Sequence, residues 1–331
     1  MKQLTLFLLS ILFLITLNSY GQPNARVQII HNSADVSLDT VDMWLNGNKE
    51  FDDLAFREAT PFVDLPADTA LNIGIAGQSS SAVGDTIVNF TDTLTNNETY
   101  VIVVHGVANP SNYSPSPDLT LAIKPMAREE ANVSGNSDIL IHHGSTDAPA
   151  IDIDETASGL GNLVNNLNYG QFGGYYELLP QDYVLSVKDS TGSPTIGVYE
   201  ANLDQNSWQD SAITILASGF LDTSQNNNGP EFGLYAALAE GGQLIELPEK
   251  DQSARAQIIH NSADAALDTV DIWVNGNKAF DDLAFREATP FVDLPAATPL
   301  DIGIAGPRPL ISTLRQWHVR KQIVAGILMF S

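Results

Sequence analysis

Residues 25–49 read ARVQIIHNSADVSLDTVDMWLNGNK, and residues 254–278 read ARAQIIHNSADAALDTVDIWVNGNK. The match continues to residue 77 in the first copy and residue 306 in the second, at a constant offset of 229, with 44 of 53 positions identical. This shared text reads as β-structure. Val27 to His31 is short and rich in β-branched residues, and Val41, Met43 and Leu45 alternate with Asp42, Trp44 and Asn46. Asn46-Gly47 then supplies a two-residue hairpin signal. Met43 and Leu45 become Ile272 and Val274, so the changes preserve one apolar face and predict that Trp44 faces outward beside Asp42.

A diverged copy lies between these two. His143-Gly144-Ser145-Thr146-Asp147 answers His31-Asn32-Ser33-Ala34-Asp35, and Ile151-Asp152-Ile153 answers Val41-Asp42-Met43. Internal repetition divides the chain into a module at 24–127, a diverged module at 137–248 and a partial third module at 254–306. The stretch has no long helical period, and turn signals recur at about 8–12 residues. The fold class expected is all-β, with tandem β-sandwich modules, the third incomplete. After Gly306 the composition reverses: residues 307–331 hold four basic residues and no acid, against ten basic and forty acidic residues in 22–306. The third module is therefore expected to hold only the first half of a sandwich, followed by an off-pattern basic tail. A weak echo of Val103-Val104-His105-Gly106 falls at Ile323-Val324-Ala325-Gly326.

The openings His31-x-Ser33-x-Asp35 and His143-x-Ser145-x-Asp147-Ala148-Pro149 resemble the DUF4397 family, a bacterial secreted domain of unknown function. Val41-Asp42-Met43, Asn46-Gly47 and Leu65-Pro66-Ala67 follow in that family's order. The first and third modules depart from it, since Asp35-Val36-Ser37 and Asp264-Ala265-Ala266 lack the Ala-Pro. The resemblance implies an immunoglobulin-like sandwich on a secreted or surface protein, and it brings no reaction with it.

Composition narrows the classes of function. The formal net charge of −25 repels nucleic-acid phosphate and anionic head groups, so nucleic acid is not an expected partner. The absence of cysteine removes disulfides, thiol nucleophiles and thiolate metal sites. Lys2, the apolar run Leu4 to Leu17 and the small residues Ser19 and Gly21 have the pattern of a secretory signal peptide over residues 1–21, cleaved before Gln22. The run is shorter than the ~20 residues a spanning helix needs, so an integral membrane protein is not expected.

Three residue patterns invite chemistry. The triplet His31, Ser33, Asp35 recurs as His143, Ser145, Asp147 and as His260, Ser262, Asp264. On a strand, positions i and i+2 lie ~7 Å apart, beyond the ~2.6–3.2 Å reach that a nucleophile and its base need. A structural role, with Ser and Asp bracing a turn while His packs at the strand end, is the expected one. The carboxylates Asp35, Asp39 and Asp42, with copies Asp264, Asp268 and Asp271, lack the spacing of a calcium loop. The six histidines show no zinc spacing, so neither a metal nor another cofactor is expected. An outward indole flanked by carboxylates can stack on a sugar ring, which makes Trp44 with Asp42 and Trp273 with Asp271 the candidate ligand-binding residues, while cover of the ring by a neighbouring loop is the reading favoured over it.

The expected function is that of a structural or adhesive repeat protein, secreted or on the cell surface and without catalytic activity. The alternative is a carbohydrate-binding module of an extracellular degradative system. An extracellular glycan or a surface protein is the expected partner.

Overall fold

The computed structural model describes residues 22–295, 299–306, 317–322 and 326–330. The expected signal segment lies outside the described residues, as do residues 307–316 of the tail and Ile323 to Ala325 of the echo. The chain divides into two compact units, Met1–Pro248 and Glu249–Ser331. Strands dominate both, and the architecture is a series of β-sandwiches.

The first sandwich of unit one is built from β1 (Asn24–His31), β2 (Thr40–Leu45), β3 (Asn48–Ala55), β4 (Glu58–Ala59), β5 (Val63–Pro66), β6 (Ala70–Gly77), β7 (Thr86–Thr93), β8 (Thr99–His105) and β9 (Thr120–Pro125). One sheet runs β3-β2-β6-β7. In the other, β1 pairs with β4 and β5 on one side and in parallel with β8 on the other, and β9 follows β8. The β2–β3 hairpin turns on Asn46 (φ 49°) and Gly47 (φ 85°), both left-handed, as a turn matched to the strand twist requires. Val27, Ile29, Ile102 and Val104 meet Val41, Met43, Ile73 and Ile75 between the sheets. Burial removes these side chains from water and drives the two layers together.

The second sandwich repeats this plan with β10 (Ser137–His143), β11 (Ile151–Glu155), β12 (Gly161–Leu167), β13 (Phe172–Leu178), β14 (Asp182–Asp189), β15 (Thr195–Asn202), β16 (Ala212–Ser218), β17 (Gly233–Ala237), β18 (Gly242–Gln243) and β19 (Ile245–Glu246). Its sheets run β13-β10-β16-β17-β19 and β12-β11-β14-β15, and β10 pairs in parallel with β16. Tyr183, Leu185 and Val187 alternate into its core, as their spacing predicts.

A third apolar layer joins the two sandwiches. Ile30, Phe62, Val101, Val103 and Ala122 of the first pack on Leu216, Tyr235, Ala237 and Leu244 of the second. Strand β18 leaves its own sandwich to pair with β4 of the first, through Gly242↔Ala59 and Gln243↔Glu58. Strand β1 is therefore covered on both faces, which accounts for its adjacent apolar pair Ile29-Ile30.

Unit two contains β20 (Ser253–His260), β21 (Thr269–Val274), β22 (Asn277–Ala284), β23 (Val292–Pro295), β24 (Pro299–Ala305), β25 (Trp317–Gln322) and β26 (Gly326–Phe330). Two strands from the off-pattern tail stand where β7 and β8 stand in the first sandwich. Strand β25 pairs with β24 and β26 runs parallel to β20, so the off-pattern tail adds a strand to each sheet, and among the described residues the sheet β23-β20-β26 still has fewer strands than its counterpart in the first sandwich. Phe330 opposes His260 as Val104 opposes His31. The weak echo thus pointed to the wrong residues, because Met329 rather than Val324 or its neighbours takes the place of Val103. An unbroken apolar run, Ile327 to Phe330, stands in the register of Val101 to Val104 although identity does not survive.

Candidate functional site

The His-x-Ser-x-Asp motifs sit where the first strand of each sandwich runs into its first turn. His31 is fully buried, and its Nε2 lies 2.7 Å from the Leu38 carbonyl. A carbonyl can only accept, so Nε2 carries the proton and Nδ1 faces the Ser33 N–H at 3.5 Å. Desolvation holds the His31 pKa down at about 4, so the ring is neutral at pH 7. Ser33 Oγ spends its one proton on the Gly106 carbonyl at 2.6 Å. Asp35 accepts from Ser37 N, Ser37 Oγ and the Tyr113 hydroxyl at Oδ1, and from Ala108 N and Asn109 N at Oδ2. Burial would raise its pKa, but these donors outweigh burial and lower it. The triplet ties the β1 turn to the loop after β8.

The second sandwich repeats the arrangement with different partners. His143 Nε2 lies 2.8 Å from the Pro149 carbonyl, and Ser145 Oγ donates to Gly219 O at 2.7 Å. Asp147 accepts from Leu221 N, Asp222 N and Asn226 Nδ2. In unit two His260 Nε2 is 2.6 Å from the Leu267 carbonyl, Ser262 N faces His260 Nδ1 at 3.3 Å, and Asp264 accepts from Ala266 N. Asp264 is exposed there and Ser262 half-buried, whereas Asp35 and Ser33 are buried. In the first two sandwiches each serine donates its proton to a backbone carbonyl, so the three side chains brace a turn.

Of the two readings of Trp44, an open indole and an indole covered by a neighbouring loop, its surroundings show the second. Trp44 is only 8% exposed, and its Nε1 donates to Ser80 Oγ at 2.9 Å. Ser80 Oγ in turn donates to Asp42 Oδ2 at 2.5 Å, and Lys49 Nζ donates to the same oxygen at 2.7 Å while lying 5.8 Å from the Trp44 ring. Burial alone would raise the Asp42 pKa, yet the Asp53 N–H, Lys49 and Ser80 together hold it at about 2. The loop after β6 therefore covers the indole, and Asp42 anchors that cover. Trp273 in unit two is half-buried, and Lys278 bonds Asp271 at 2.7 Å. At the constant offset, Ser80 is answered by Pro309, which cannot supply the hydroxyl.

Two carboxylate trios, Asp42 with Asp52 and Asp53 and Asp271 with Asp281 and Asp282, draw close enough to share a cation. A lysine ammonium already bridges each: Lys49 bonds Asp42 and Asp52, and Lys278 bonds Asp271 and Asp281. These carboxylates have their counter-charge in the chain itself.

The most elaborate polar constellation lies in the joint between the two sandwiches of unit one, and none of it was among the residues singled out from the sequence as ligand-binding. Arg57 Nε donates to Ser218 Oγ at 3.0 Å, Nη1 to the Tyr235 hydroxyl at 2.6 Å and Nη2 to Glu231 O at 2.7 Å. Its guanidinium also lies 3.7 Å from the centre of the Tyr235 ring. Gln28 Nε2 donates to Leu238 O at 2.7 Å, and Arg57 O accepts from Leu244 N and Gln243 Nε2. His105 and Tyr169 meet at 2.8 Å, and His142 packs on Phe172 at 4.4 Å between ring centres. Apolar residues on both faces of β1 and β8 were the signal available for this joint.

No helix among the described residues is long and apolar enough to cross a membrane. None of the curated proteins matches the chain. Among solved structures, family 41 carbohydrate-binding modules from streptococcal virulence factors, described for alpha-glucan recognition, align over 58% of this chain and 93% of theirs, at 11% identity and a TM-score of 0.20. A second streptococcal structure, described for alpha-glucan binding by a virulence factor, covers 58% and 92% at 10% identity and a TM-score of 0.19. The Bacillus anthracis TIE protein covers 93% of this chain and 50% of its own at 10% identity and a TM-score of 0.21. Residues 25–154 match the family model described as Domain of unknown function (DUF4397), which supports the family resemblance carried by the His-x-Ser-x-Asp openings.

Proposed function

We propose that the protein is a structural or adhesive repeat protein, exported to the cell surface or beyond, whose sandwiches bind or space rather than catalyse. The observation that carries this reading is the fate of the triplets. His31 and His143 each give Nε2 to a carbonyl, Ser33 and Ser145 give their hydroxyl protons to carbonyls, and Asp35 and Asp147 accept backbone N–H groups. A nucleophile needs its proton directed at a base, and here it is directed at the backbone. A joint made of an apolar layer, a crossing strand and a multiply bonded arginine suits a protein that holds its modules at a fixed spacing.

The test is to incubate the full chain with ester, peptide and glycoside substrates beside its Ser33→Ala and Ser145→Ala variants. The expected result is no turnover and a lower melting temperature in both variants. Turnover that vanishes with either serine overturns the reading. For the address, N-terminal sequencing of exported protein is expected to begin at Gln22, and an intact Met1 in the extracellular fraction overturns export by cleavage. For the glycan-binding alternative, the half-buried Trp273 is the residue to probe, by a glycan array read with and without Trp273→Ala.

A further inference from the structure

The face of β1 and β4 that docks on the second sandwich is repeated, residue for residue, in unit two. Gln28, Ile30, Arg57, Ala59 and Phe62 become Gln257, Ile259, Arg286, Ala288 and Phe291 at the offset of 229, with no substitution among the five. The local geometry is repeated as well. Gln28 Nε2 donates to Thr60 O at 3.1 Å and Gln257 Nε2 donates to Thr289 O at 2.9 Å. Arg57 has φ 60° and lies 4.8 Å from the Phe56 ring, while Arg286 has φ 65° and lies 4.9 Å from the Phe285 ring. A left-handed backbone is unfavourable for a side chain of this kind, and in the first sandwich it aims the guanidinium at Ser218, Glu231 and Tyr235. Unit two keeps the costly pose.

Covering differs. Phe62 is 8% exposed and Phe291 50%, Ala59 is buried and Ala288 exposed, and Ile30 is fully buried while Ile259 is half-buried. Gln28 has a second bond, to Leu238 O, and Arg57 has four, but none of the hydrogen bonds among the described residues involves the Arg286 guanidinium. The register of β26 pairs Ile327 and Met329 with Gln257 and Ile259, as β8 pairs Val101 and Val103 with Gln28 and Ile30.

We propose that this face of unit two, centred on Ile259, Ala288 and Phe291 with Arg286 and Gln257 at its rim, is a docking surface for a β-sandwich on another polypeptide. That sandwich presents the face that residues 137–248 present to the first module. Counting faces selects this occupant. Among the described residues there are two copies of the arginine-bearing face and one complementary face, and the first sandwich already occupies the complementary one. A second identical chain brings the same surplus, so exchange between two copies creates no new contact. The partner must bring an apolar centre like Leu216, Tyr235 and Ala237, with two backbone carbonyls and a tyrosine hydroxyl placed for the guanidinium. The inference goes beyond the non-catalytic reading and does not depend on it, since an enzyme and a spacer could each dock this way.

The probe is the full chain carrying Phe62→Asp and Phe291→Asp, which spoils both arginine-bearing faces and frees the complementary one. Mixed with the wild-type chain and followed by size-exclusion chromatography with light scattering, it is expected to form a 1:1 complex that neither forms alone. Phe291→Asp in the wild-type partner is expected to abolish the complex, and Arg286→Ala to weaken it by about tenfold or more, as loss of charged hydrogen bonds implies. No complex, from a probe that keeps a native circular dichroism spectrum and a cooperative thermal transition, overturns the proposal. So does a complex indifferent to Phe291→Asp. If that probe does not fold, the milder pair Arg57→Ala with Arg286→Ala leaves the apolar centres intact and is read by the same criteria.

Discussion

Across the joint of unit one, His105 Nδ1 of the first sandwich lies 2.8 Å from the Tyr169 hydroxyl of the second. His142 stands 5.6 Å from His105 between ring centres, and His143 stands 6.1 Å from Tyr169. Both nitrogens of His142 are buried without a hydrogen-bond partner, as is His143 Nδ1. Three imidazoles thus share one buried region, where charge on His143 bears on His105 and charge on either bears on His142. Burial lowers all three pKa values, with His105 held down at about 4, so the joint is built for neutral rings.

This geometry predicts an acid-labile unit one. A buried histidine whose folded pKa is below its ordinary value near 6.5 stabilises fully above pH 6.5. That stability declines as pH falls toward the folded pKa, because the unfolded chain takes up the proton first. His31 and His105, both held near 4, place the decline between about pH 6.5 and 4, at roughly 1 kcal/mol per histidine per pH unit. Asp42 and Glu155, held at about 2, keep their contribution until pH drops below the ordinary carboxylate range near 4. Urea unfolding of the full chain at pH 7.5, 5.5 and 4.5 measures this. His142→Phe removes two unpartnered nitrogens and is expected to raise stability more at pH 5 than at pH 7.5. A pH-independent midpoint over this range would refute the assignment.

Asp35 predicts a second, local effect. Its two oxygens take five hydrogen bonds, and removing them strands the Ala108 and Asn109 N–H groups and the Tyr113 hydroxyl. Asp35→Ala is expected to cost about 3 kcal/mol, and Ser33→Ala, which loses one bond to Gly106 O, about 1 kcal/mol. The exposed Asp264 makes its bond to Ala266 N within the turn, so Asp264→Ala is expected to cost under about 1 kcal/mol. Thermal or chemical unfolding of the three variants checks the order.

The strands were legible wherever side chains alternate toward one core, as in Met43 with Leu45 and Tyr183 with Val187, because period-2 burial leaves a period-2 text. Strand spacing does not govern the triplets, because β1 ends at His31 and Ser33 and Asp35 lie in the turn beyond it, where the Ser33 hydroxyl goes to the Gly106 carbonyl. Cover of Trp44 by a neighbouring loop was the favoured reading, but its partner was not legible, because the Ser80 hydroxyl arrives from 36 positions away and no local pattern announces it. The joint was hidden for a related reason. Arg57 and Tyr235 are 178 positions apart, and their meeting depends on how two finished sandwiches pack. The tail strands were obscured because β26 satisfies its register with apolar residues unlike those of β8.

Trp44 yields a third prediction that separates cover from contact surface. A ring removed from beneath a loop leaves a cavity and strands the Ser80–Asp42 pair, so Trp44→Ala is expected to cost about 3–5 kcal/mol. Trp273, half-buried and with Pro309 where the first copy has Ser80, is expected to cost less when replaced by alanine. Denaturation midpoints of both variants test this, and equal, small losses would mean that Trp44 is open to solvent.

The last prediction concerns the tail strands. The core of unit two is small, resting on Ala256, Ile258, Val270, Ile272, Leu300, Ile302 and a few neighbours, and small cores have little stability to spare. Strand β20 has two ladder partners, antiparallel β23 and parallel β26, and β24 has β21 and β25. Truncation after Gly306 deletes β25 and β26 together, leaving β20 and β24 each with one bare edge and the inner faces of both sheets less covered. Backbone amides along β20 that pair with β26 then lose their acceptors to water. Hydrogen exchange on the truncated chain is expected to show protection lost across Ala256 to His260 and across β24. Protection of β10 and β16, whose partners lie within unit one, is expected to stay as in the full chain. Unchanged protection along β20 would show that β23 and the retained core hold the strand without its parallel partner.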